Sequence, residues 1–359
     1  MIVIADDITG AAEIAGIAFS HGTDVRLVCG GSVSCRSTAT NGTTVIATDT
    51  RSMSEAEAIA ETHRIASAIS HQPLALFKKT DSALRGHVVA ELQALMETTG
   101  ALRCVYLPAN PSKGRIIRNG IYYINNVPIH DTDFSFDPEF PAKTSVLRER
   151  FPDAEAKGII MPDAESEEDI RKVIQQYDDG KTLFAGAADL FNGMIDMGCG
   201  RLKKSIAKHP IPIIHREKSS TLILCGSTQS KALNIGIPIS LMPRDVYDGS
   251  DNLYLWNTDA YSQQHSLILT IPHTHRTGKE VAVHLRSVMA QMTKRLVSEH
   301  RPDHLIIEGG ATAWATLQAL NWTEFQIERQ IAPGVVQMSA TNGTLVTLKP
   351  GSYPWGNLF

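Results

Sequence analysis

Between Phe77 and Gly86 the chain reads Phe-Lys-Lys-Thr-Asp-Ser-Ala-Leu-Arg-Gly, setting Lys78, Lys79 and Arg85 beside Thr80, Asp81 and Ser82. After an apolar strand, such a turn is where open α/β sheets place their ligand chemistry; the alternative is a solvated turn in which Ser82 or Asp81 caps the helix that follows. A second polar run, Asp6-Asp7-Ile8-Thr9-Gly10, opens the chain. Two adjacent carboxylates are costly to crowd together unless a cation or hydrogen bonds stabilise them. They suit a polyhydroxy ligand or a metal, while Asp7 or Thr9 would equally serve as a helix cap. In a third run, Asp49-Thr50-Arg51-Ser52, the Arg51 fork could reach a carboxylate in the same crevice or lie in solvent. A fourth, Gly309-Gly310-Ala311-Thr312, is a glycine turn ahead of a helix, either a tight turn without a ligand or a place where free N–H groups and the helix dipole favour an anion such as phosphate.

Each polar run follows an apolar one. Ile2–Ala5, Val25–Val28, Thr44–Thr48, Leu74–Phe77 and Cys104–Leu107 read as strands, as do 158–161 and the run beginning at Leu183. Helical spacing follows over 11–20, about 53–70 and from Val88 onward. Ser52 with Glu55 has the form of a capping box for the second of these, and Ser166 with Asp169 for a later helix. Tyr122–Ile129 predicts a hairpin with Asn125-Asn126 at its tip, followed by an irregular polar segment through Asp137. Strand and helix alternating at this spacing predict a doubly wound, Rossmann-like, mainly parallel sheet, whose strand ends are where ligand chemistry collects. Composition changes near 205–220, which predicts an N-terminal domain over 1–215 and a C-terminal α/β domain over 220–359. In the latter, 221–225, 266–270, 304–308 and 345–348 read as strands, 280–298 as a long helix and 313–320 as the helix after the glycine turn.

At 359 residues the chain has the length of two domains. With 43% hydrophobic and 20% charged residues and a formal charge of −4, its composition is that of a soluble globular protein without a basic footprint for nucleic acid. Five cysteines without CxxC spacing fit a reducing compartment, and no apolar run has the length of a signal peptide or a membrane span. The expectation is a cytoplasmic protein with no nucleic-acid or membrane partner; oligomeric state, homo-oligomer included, is left open. Neither the G-x-x-x-x-G-K-[ST] loop nor the G-x-G-x-x-G fingerprint occurs, and the protein-kinase signature set is absent. His273 and His275 lack an accompanying carboxylate motif for a metal, and no metal ligand is assigned. Cys225, after an apolar strand and without a positioned histidine, reads as a buried small residue.

In order along the chain, Ala5–Ala11, Asp49–Ser52, Lys78–Gly86, Asn119-Gly120, His130–Asp133, Asp163-Ala164, Gly226-Ser227, Gly309–Thr312, Ile331–Gly334 and Lys349–Gly351 together resemble the four-carbon acid sugar kinase family. The resemblance spans almost the whole chain. It implies a sugar-acid-binding N-terminal domain and an ATP-binding C-terminal domain, with phosphorylation of threonate, erythronate or an oxo derivative, generally at the terminal hydroxyl. On it, Arg51, Lys79 and Arg85 serve the substrate carboxylate, with Asp6, Lys78 and Ser82 also in the substrate site. Asp7 and Asp81 bind hydroxyls, one of them orienting or deprotonating the attacking one. Ser227, Gly309, Gly310, Ala311, Thr312 and Gly351 cradle ATP phosphates, with Mg²⁺ alongside.

The chain departs from the family pattern twice. Ala311 stands where the family commonly has glutamate, and Ser352-Tyr353-Pro354 replaces the usual residues after Lys349-Pro350-Gly351. The competing reading is a sugar-acid-binding protein with a degenerate nucleotide site; a nicotinamide-dependent oxidoreductase ranks below it for want of the glycine fingerprint. The place of Asp81 on a polar turn predicts that Asp81→Asn abolishes turnover with little loss of stability.

Overall fold

A computed structural model describes residues 1–30, 42–69, 75–137, 139–199, 219–226, 233–272, 278–351 and 353–359. The chain divides into two compact units, Met1–Ile206 and Ala207–Phe359. The boundary expected near 215–220 falls largely on residues outside those described.

In the first unit the strands β1 (Ile2–Ala5), β2 (Val25–Cys29), β3 (Thr43–Ala47), β4 (Leu76–Lys79), β5 (Arg103–Leu107), β9 (Ile159–Ile160) and β10 (Thr182–Gly186) form a parallel sheet. Their spatial order is β2-β3-β1-β4-β10-β5-β9. The strands are near-continuous apolar runs because helices cover both faces. Helix α1 (Ile8–Ser20) packs with α6 (Ala188–Asp196), and α2 (Glu55–Ile69) with α3 (Val88–Thr99). Val3, Ile4, Val45, Ile46 and Phe77 are fully buried between these layers. Each such side chain is worth about 1.5–3 kcal/mol relative to exposure. The doubly wound parallel fold expected from the alternation is present.

From β1 the chain leaves toward β3 and β2, whereas from β4 it leaves toward β5. β1 and β4 are neighbours, so their C-terminal ends flank a topological switch point, the place where open α/β sheets bind ligands. A small antiparallel sheet, β6 (Arg115–Arg118), β7 (Ile121–Ile124) and β8 (Val127–Pro128), completes this unit. Asn119-Gly120 and Asn125-Asn126 form its two turns, all four residues with positive φ, as two-residue hairpin turns of this hand require.

In the second unit β11 (Thr221–Cys225), β12 (Ile239–Leu241), β13 (Ser266–Thr270), β14 (His304–Glu308) and β17 (Leu345–Lys349) are parallel. Antiparallel β16 (Val335–Ala340) and β15 (Glu324–Ala332) extend the sheet in the order β12-β13-β11-β14-β17-β16-β15. β11 connects toward β12, while β14 connects through α10 (Gly310–Ala319) toward β15, so a switch point lies between β11 and β14 as well. The β15–β16 hairpin was not anticipated. Its alternation is blurred by Glu328, Arg329 and Gln330, and the ladder itself shifts register there.

Several boundaries differ from expectation, α1 among them, which begins at Ile8 rather than Ala11. Ser54, not Ser52, makes the capping box of α2: its N–H (2.9 Å) and hydroxyl (2.7 Å) both reach Glu57 Oε2. Helix α10 begins at Gly310 rather than Ala313, which places Ala311 and Thr312 in its first turn. The long helix α9 runs Lys279–His300, two residues beyond the expected end. The Ser166–Asp169 cap stands as expected, with the Asp169 N–H donating to Ser166 Oγ at 3.2 Å.

Candidate active site

Asp6 and Asp7 leave the C-terminal end of β1, and the turn Thr80–Gly86 leaves β4 next to it. Asp7 is the N-cap of α1, accepting hydrogen bonds from the Gly10 N–H (2.8 Å) and the Thr9 hydroxyl (2.5 Å). The capping reading is therefore correct, and it coexists with a place in the crevice. Asp6 is buried and receives both Arg51 Nε (3.1 Å) and Nη2 (2.9 Å). The same Nη2 lies 3.1 Å from Asp7 Oδ1 and 3.7 Å from Asp81 Oδ1. One guanidinium thus gathers three carboxylates from two strand ends, which answers the crowding problem posed by Asp6-Asp7.

Asp81 is 7% exposed. Its carboxylate accepts from the Ala83 N–H (3.1 Å) and Arg85 N–H (3.3 Å) and is held by Arg85 Nε (2.8 Å) and Nη2 (3.0 Å). A second carboxylate, Asp137, lies 3.5 Å from Arg85 Nη1. Burial pushes the Asp81 carboxyl up, but Arg51 and Arg85 outweigh it and hold the group well below the ordinary carboxylate range. Asp7 is likewise lowered: burial is outweighed by Arg51 and Lys79 and by the bonds from Thr9 and Gly10. Burial wins only at Asp6, which is raised despite Arg51.

The turn is built on two residues in left-handed conformation, Leu84 (φ 62°) and Gly86 (φ 95°). A buried leucine pays for that conformation in strain, which persists where surrounding contacts over-determine it. Arg150, at the end of α4 (Leu147–Arg150), donates to the Leu84 carbonyl through Nε (3.2 Å) and Nη2 (2.9 Å). Tyr122 donates its hydroxyl to the Ser82 carbonyl (2.5 Å).

Lys78 and Lys79 part company. Successive strand residues point to opposite faces. Lys79 faces α1, its ammonium 3.0 Å from the Thr80 carbonyl and 3.6 Å from Glu13 Oε2. Lys78 faces α3 and pairs with Glu91, and both are fully buried. Lys78 is therefore a core residue rather than a crevice residue, a correction to its expected place in the substrate site. Thr50 also donates to Glu91 (2.8 Å), so the pair supports the Arg51 turn from below.

Sequence reasoning missed Glu13, Lys113, Arg115, Asp137 and Arg150. Glu13 pairs with Lys113 and Lys79, and Arg115 donates to Ser82 Oγ. The arginines 85 and 115 flank the Phe134 ring at 5.9 and 5.8 Å from its centroid. The available signal was the density of charge over 113–115 and 130–137 in otherwise irregular stretches.

In the second unit β11, β14 and β17 end in register at Cys225, Glu308 and Lys349. Glu308 Oε1 receives Lys349 Nζ at 2.5 Å, both buried, so Glu308 does not project into the turn that follows. Lys349 also donates to the Gly351 carbonyl (3.1 Å) and lies 4.8 Å from the Trp355 ring centroid. Cys225 is buried, and its thiol is pushed up to about 12 by burial and Glu308, as suits a structural cysteine. Gly309 (φ 95°) precedes α10 without a side-chain cap, and the intrahelical ladder starts with Ala313 N–H to Gly309 O (2.9 Å). The N–H groups of Gly310, Ala311 and Thr312 thus precede that ladder, with Ala311 exposed and Thr312 buried. Ser227, and the histidines 273 and 275, lie outside the described residues. Among the described residues no group of three or more histidine, cysteine or carboxylate side chains could hold a metal ion, and no helix is long and apolar enough to cross a membrane.

Residues 1–153 match the sugar-binding N-terminal domain family and residues 251–353 the nucleotide-binding C-terminal domain family. The chain belongs to the four-carbon acid sugar kinase family. It is 24% identical to a D-threonate kinase of Salmonella typhimurium, over 93% of this chain and 89% of that one. A 3-oxo-tetronate kinase of Brucella melitensis is 26% identical, with 98% and 92% covered. The fold is that of a solved Haemophilus influenzae protein of the DUF1537 family, with TM-score 0.71 and 21% identity over 99% of this chain and 97% of that one. The acidic and basic turns lie within the residues that match the sugar-binding domain, and the uncapped glycine turn lies within those that match the nucleotide-binding one.

Proposed function

We propose that this protein transfers a phosphoryl group from ATP to a hydroxyl, the terminal one, of a four-carbon sugar acid of the threonate, erythronate or oxo-tetronate class. As a member of the four-carbon acid sugar kinase family it is a phosphotransferase with an alcohol acceptor. The observation that carries the reading is the gathering of Asp6, Asp7 and Asp81 around Arg51 at the switch point of the sugar-binding unit.

A polyol binds where ionised carboxylates offer acceptors for its hydroxyls, and Asp7 and Asp81, both held ionised by their cations, do so. A carboxylate with so low a proton affinity is a poor base and a good orienting group. That suits phosphoryl transfer, whose loose transition state needs positioning and charge neutralisation more than early proton removal. Asp81 therefore aims the attacking hydroxyl. In the second unit the first-turn N–H groups of Gly310, Ala311 and Thr312 would bind the triphosphate, with Gly351 beside the Lys349 ammonium. These groups fit an anion. Mg²⁺ would supply charge neutralisation at the transferring phosphate, carried on the phosphates themselves, as this ion commonly is.

The test is ADP release from ATP and Mg²⁺ across D-threonate, D-erythronate, their L forms and the 3-oxo acids. Turnover with one of them establishes the reading and names the substrate. Silence across the panel, with an acid but not ATP raising the melting temperature, would favour a binding protein that has lost nucleotide use.

A further inference from the structure

The cations of the sugar-binding crevice are nearly all spent on the protein's own carboxylates. Arg51 serves Asp6, Asp7 and Asp81; Arg85 serves Asp81 and Asp137; Lys79 and Lys113 share Glu13. Arg150 is committed to the carbonyls of Leu84, Phe140 and Pro141, whereas Arg115 has no such set of acceptors among the described residues. Its guanidinium, half-buried, donates to the Ser82 hydroxyl and lies over Phe134, and among the described residues no carboxylate comes within ion-pair distance of it. The Phe134 ring also carries Arg85, whose guanidinium has Asp81 and Asp137 as its acidic partners. A half-buried guanidinium with a hydroxyl partner and no carboxylate in reach suits a further anion.

We propose that Arg115, with the Ser82 hydroxyl, receives the carboxylate of the acid substrate and so sets the enzyme's preference for an acid over a neutral polyol. This rests on the sugar-acid reading above and moves the carboxylate-binding role from Arg51, Lys79 and Arg85 to a residue not in that set. Ser82 Oγ accepts from Arg115, which leaves its own proton to donate to a carboxylate oxygen; the guanidinium supplies the paired donors that match a carboxylate. Arg115 is firmly placed for this. Its backbone exchanges hydrogen bonds with Asn110 (2.8 and 3.2 Å), and buried Asn110 accepts from the Asp189 N–H at 2.9 Å. Asp189 in turn accepts the Ser112 N–H (2.8 Å) and hydroxyl (2.7 Å), closing the turn that carries Lys113 and Arg115.

The experiment compares wild type, Arg115→Gln and Arg115→Lys on the preferred acid of the panel and on its carboxamide, which has the same hydroxyls and no charge. Loss of a charge-assisted pair is expected to raise KM for the acid about 10- to 100-fold in Arg115→Gln, with kcat within about threefold. Arg115→Lys recovers part of the loss, and the carboxamide is handled alike by all three proteins. An unchanged KM for the acid, or an equal loss on the carboxamide, would overturn the assignment. If wild type turns over no acid, the kinase reading fails and Arg115 is judged on binding: an acid-induced rise in melting temperature that Arg115→Gln abolishes supports it. An equal rise in both proteins overturns the assignment, and no rise in wild type overturns both readings.

Discussion

The carbonyl of Leu84 accepts two hydrogen bonds from the guanidinium of Arg150, at 2.9 and 3.2 Å, from a residue 66 positions away. Arg150 also donates to the Pro141 carbonyl (3.1 Å), so it ties the strained turn to the segment beside it. Arg150→Ala should release Leu84 from its left-handed conformation and let Asp81 drift from the attacking hydroxyl. Hydrogen bonds from a charged donor are worth about 1.5–3 kcal/mol, which sets the expected stability loss in urea titration. Because the turn carries Asp81, kcat should fall by more than the folded fraction does. Activity per folded molecule equal to wild type would show that the turn holds itself.

Lys78 and Glu91 make the opposite case, an ion pair next to the site with no place in it. Removing one partner of a buried pair leaves a bare charge, at a cost of about 3–5 kcal/mol, whereas replacing both by apolar groups is often near neutral. Lys78→Met is therefore expected to lower the unfolding free energy by that amount, and Lys78→Met/Glu91→Leu to recover most of it. Denaturant titration of the three proteins checks this. Because Glu91 also accepts from Thr50, a KM for the acid raised in the double variant beyond that of Glu91→Leu alone would return Lys78 to the substrate site.

How much of this was legible in the sequence depended on whether a residue's role is local. Asp6, Asp7, Lys79, Asp81 and Arg85 announce themselves because a polar cluster directly after an apolar strand lies at the sheet's functional edge. Lys78 misleads for the same reason: it belongs to the cluster in sequence, but the pleat turns it toward α3, and only the buried Glu91, inside an otherwise ordinary helix, explains it. Arg115 and Arg150 could not be found by spacing, since each meets the central turn through tertiary contacts 33 and 66 residues away in sequence. The cap of α2 slipped by two residues because Ser52-x-x-Glu55 and Ser54-x-x-Glu57 both fit the pattern, and the backbone chose the second.

Asp81→Asn remains the decisive variant for turnover, but the structure revises its expected effect on folding. The residue is buried, bonded to two backbone N–H groups and paired with two arginines, so an amide there leaves Arg85 and Arg51 short of charge. The folded carboxyl lies below the unfolded value of 3.8. Its contribution to stability is thus fully present above that value and is lost as pH falls below it toward the depressed folded value. Wild type should be the more stable protein at pH 7, and the gap to Asp81→Asn should narrow on acidification below pH 3.8. A gap of the same size at pH 7 and pH 2.5 would show that the charge on Asp81 is not what stabilises the turn.

Gly226, directly after β11, lies against Thr312 in the first turn of α10. A Cβ placed on Gly226 would lie 2.9 Å from both Cβ and Cγ2 of Thr312 and closer still to its Oγ1, distances that side-chain atoms do not tolerate. Gly226→Ala must therefore push Thr312, and with it the N–H groups of Gly310 and Ala311, away from β11. Overpacking of this kind costs about 1–3 kcal/mol, and it falls on the turn assigned to the triphosphate. ATP affinity, measured by calorimetry with Mg²⁺ present, should weaken by about tenfold or more, while the acid-induced rise in melting temperature is kept. Trimming the neighbour in Gly226→Ala/Thr312→Ala removes Oγ1 and Cγ2 and should restore part of the affinity; Thr312→Ala alone provides the baseline. If Gly226→Ala binds ATP as wild type does, the helix N-terminus of α10 is not where the phosphates rest.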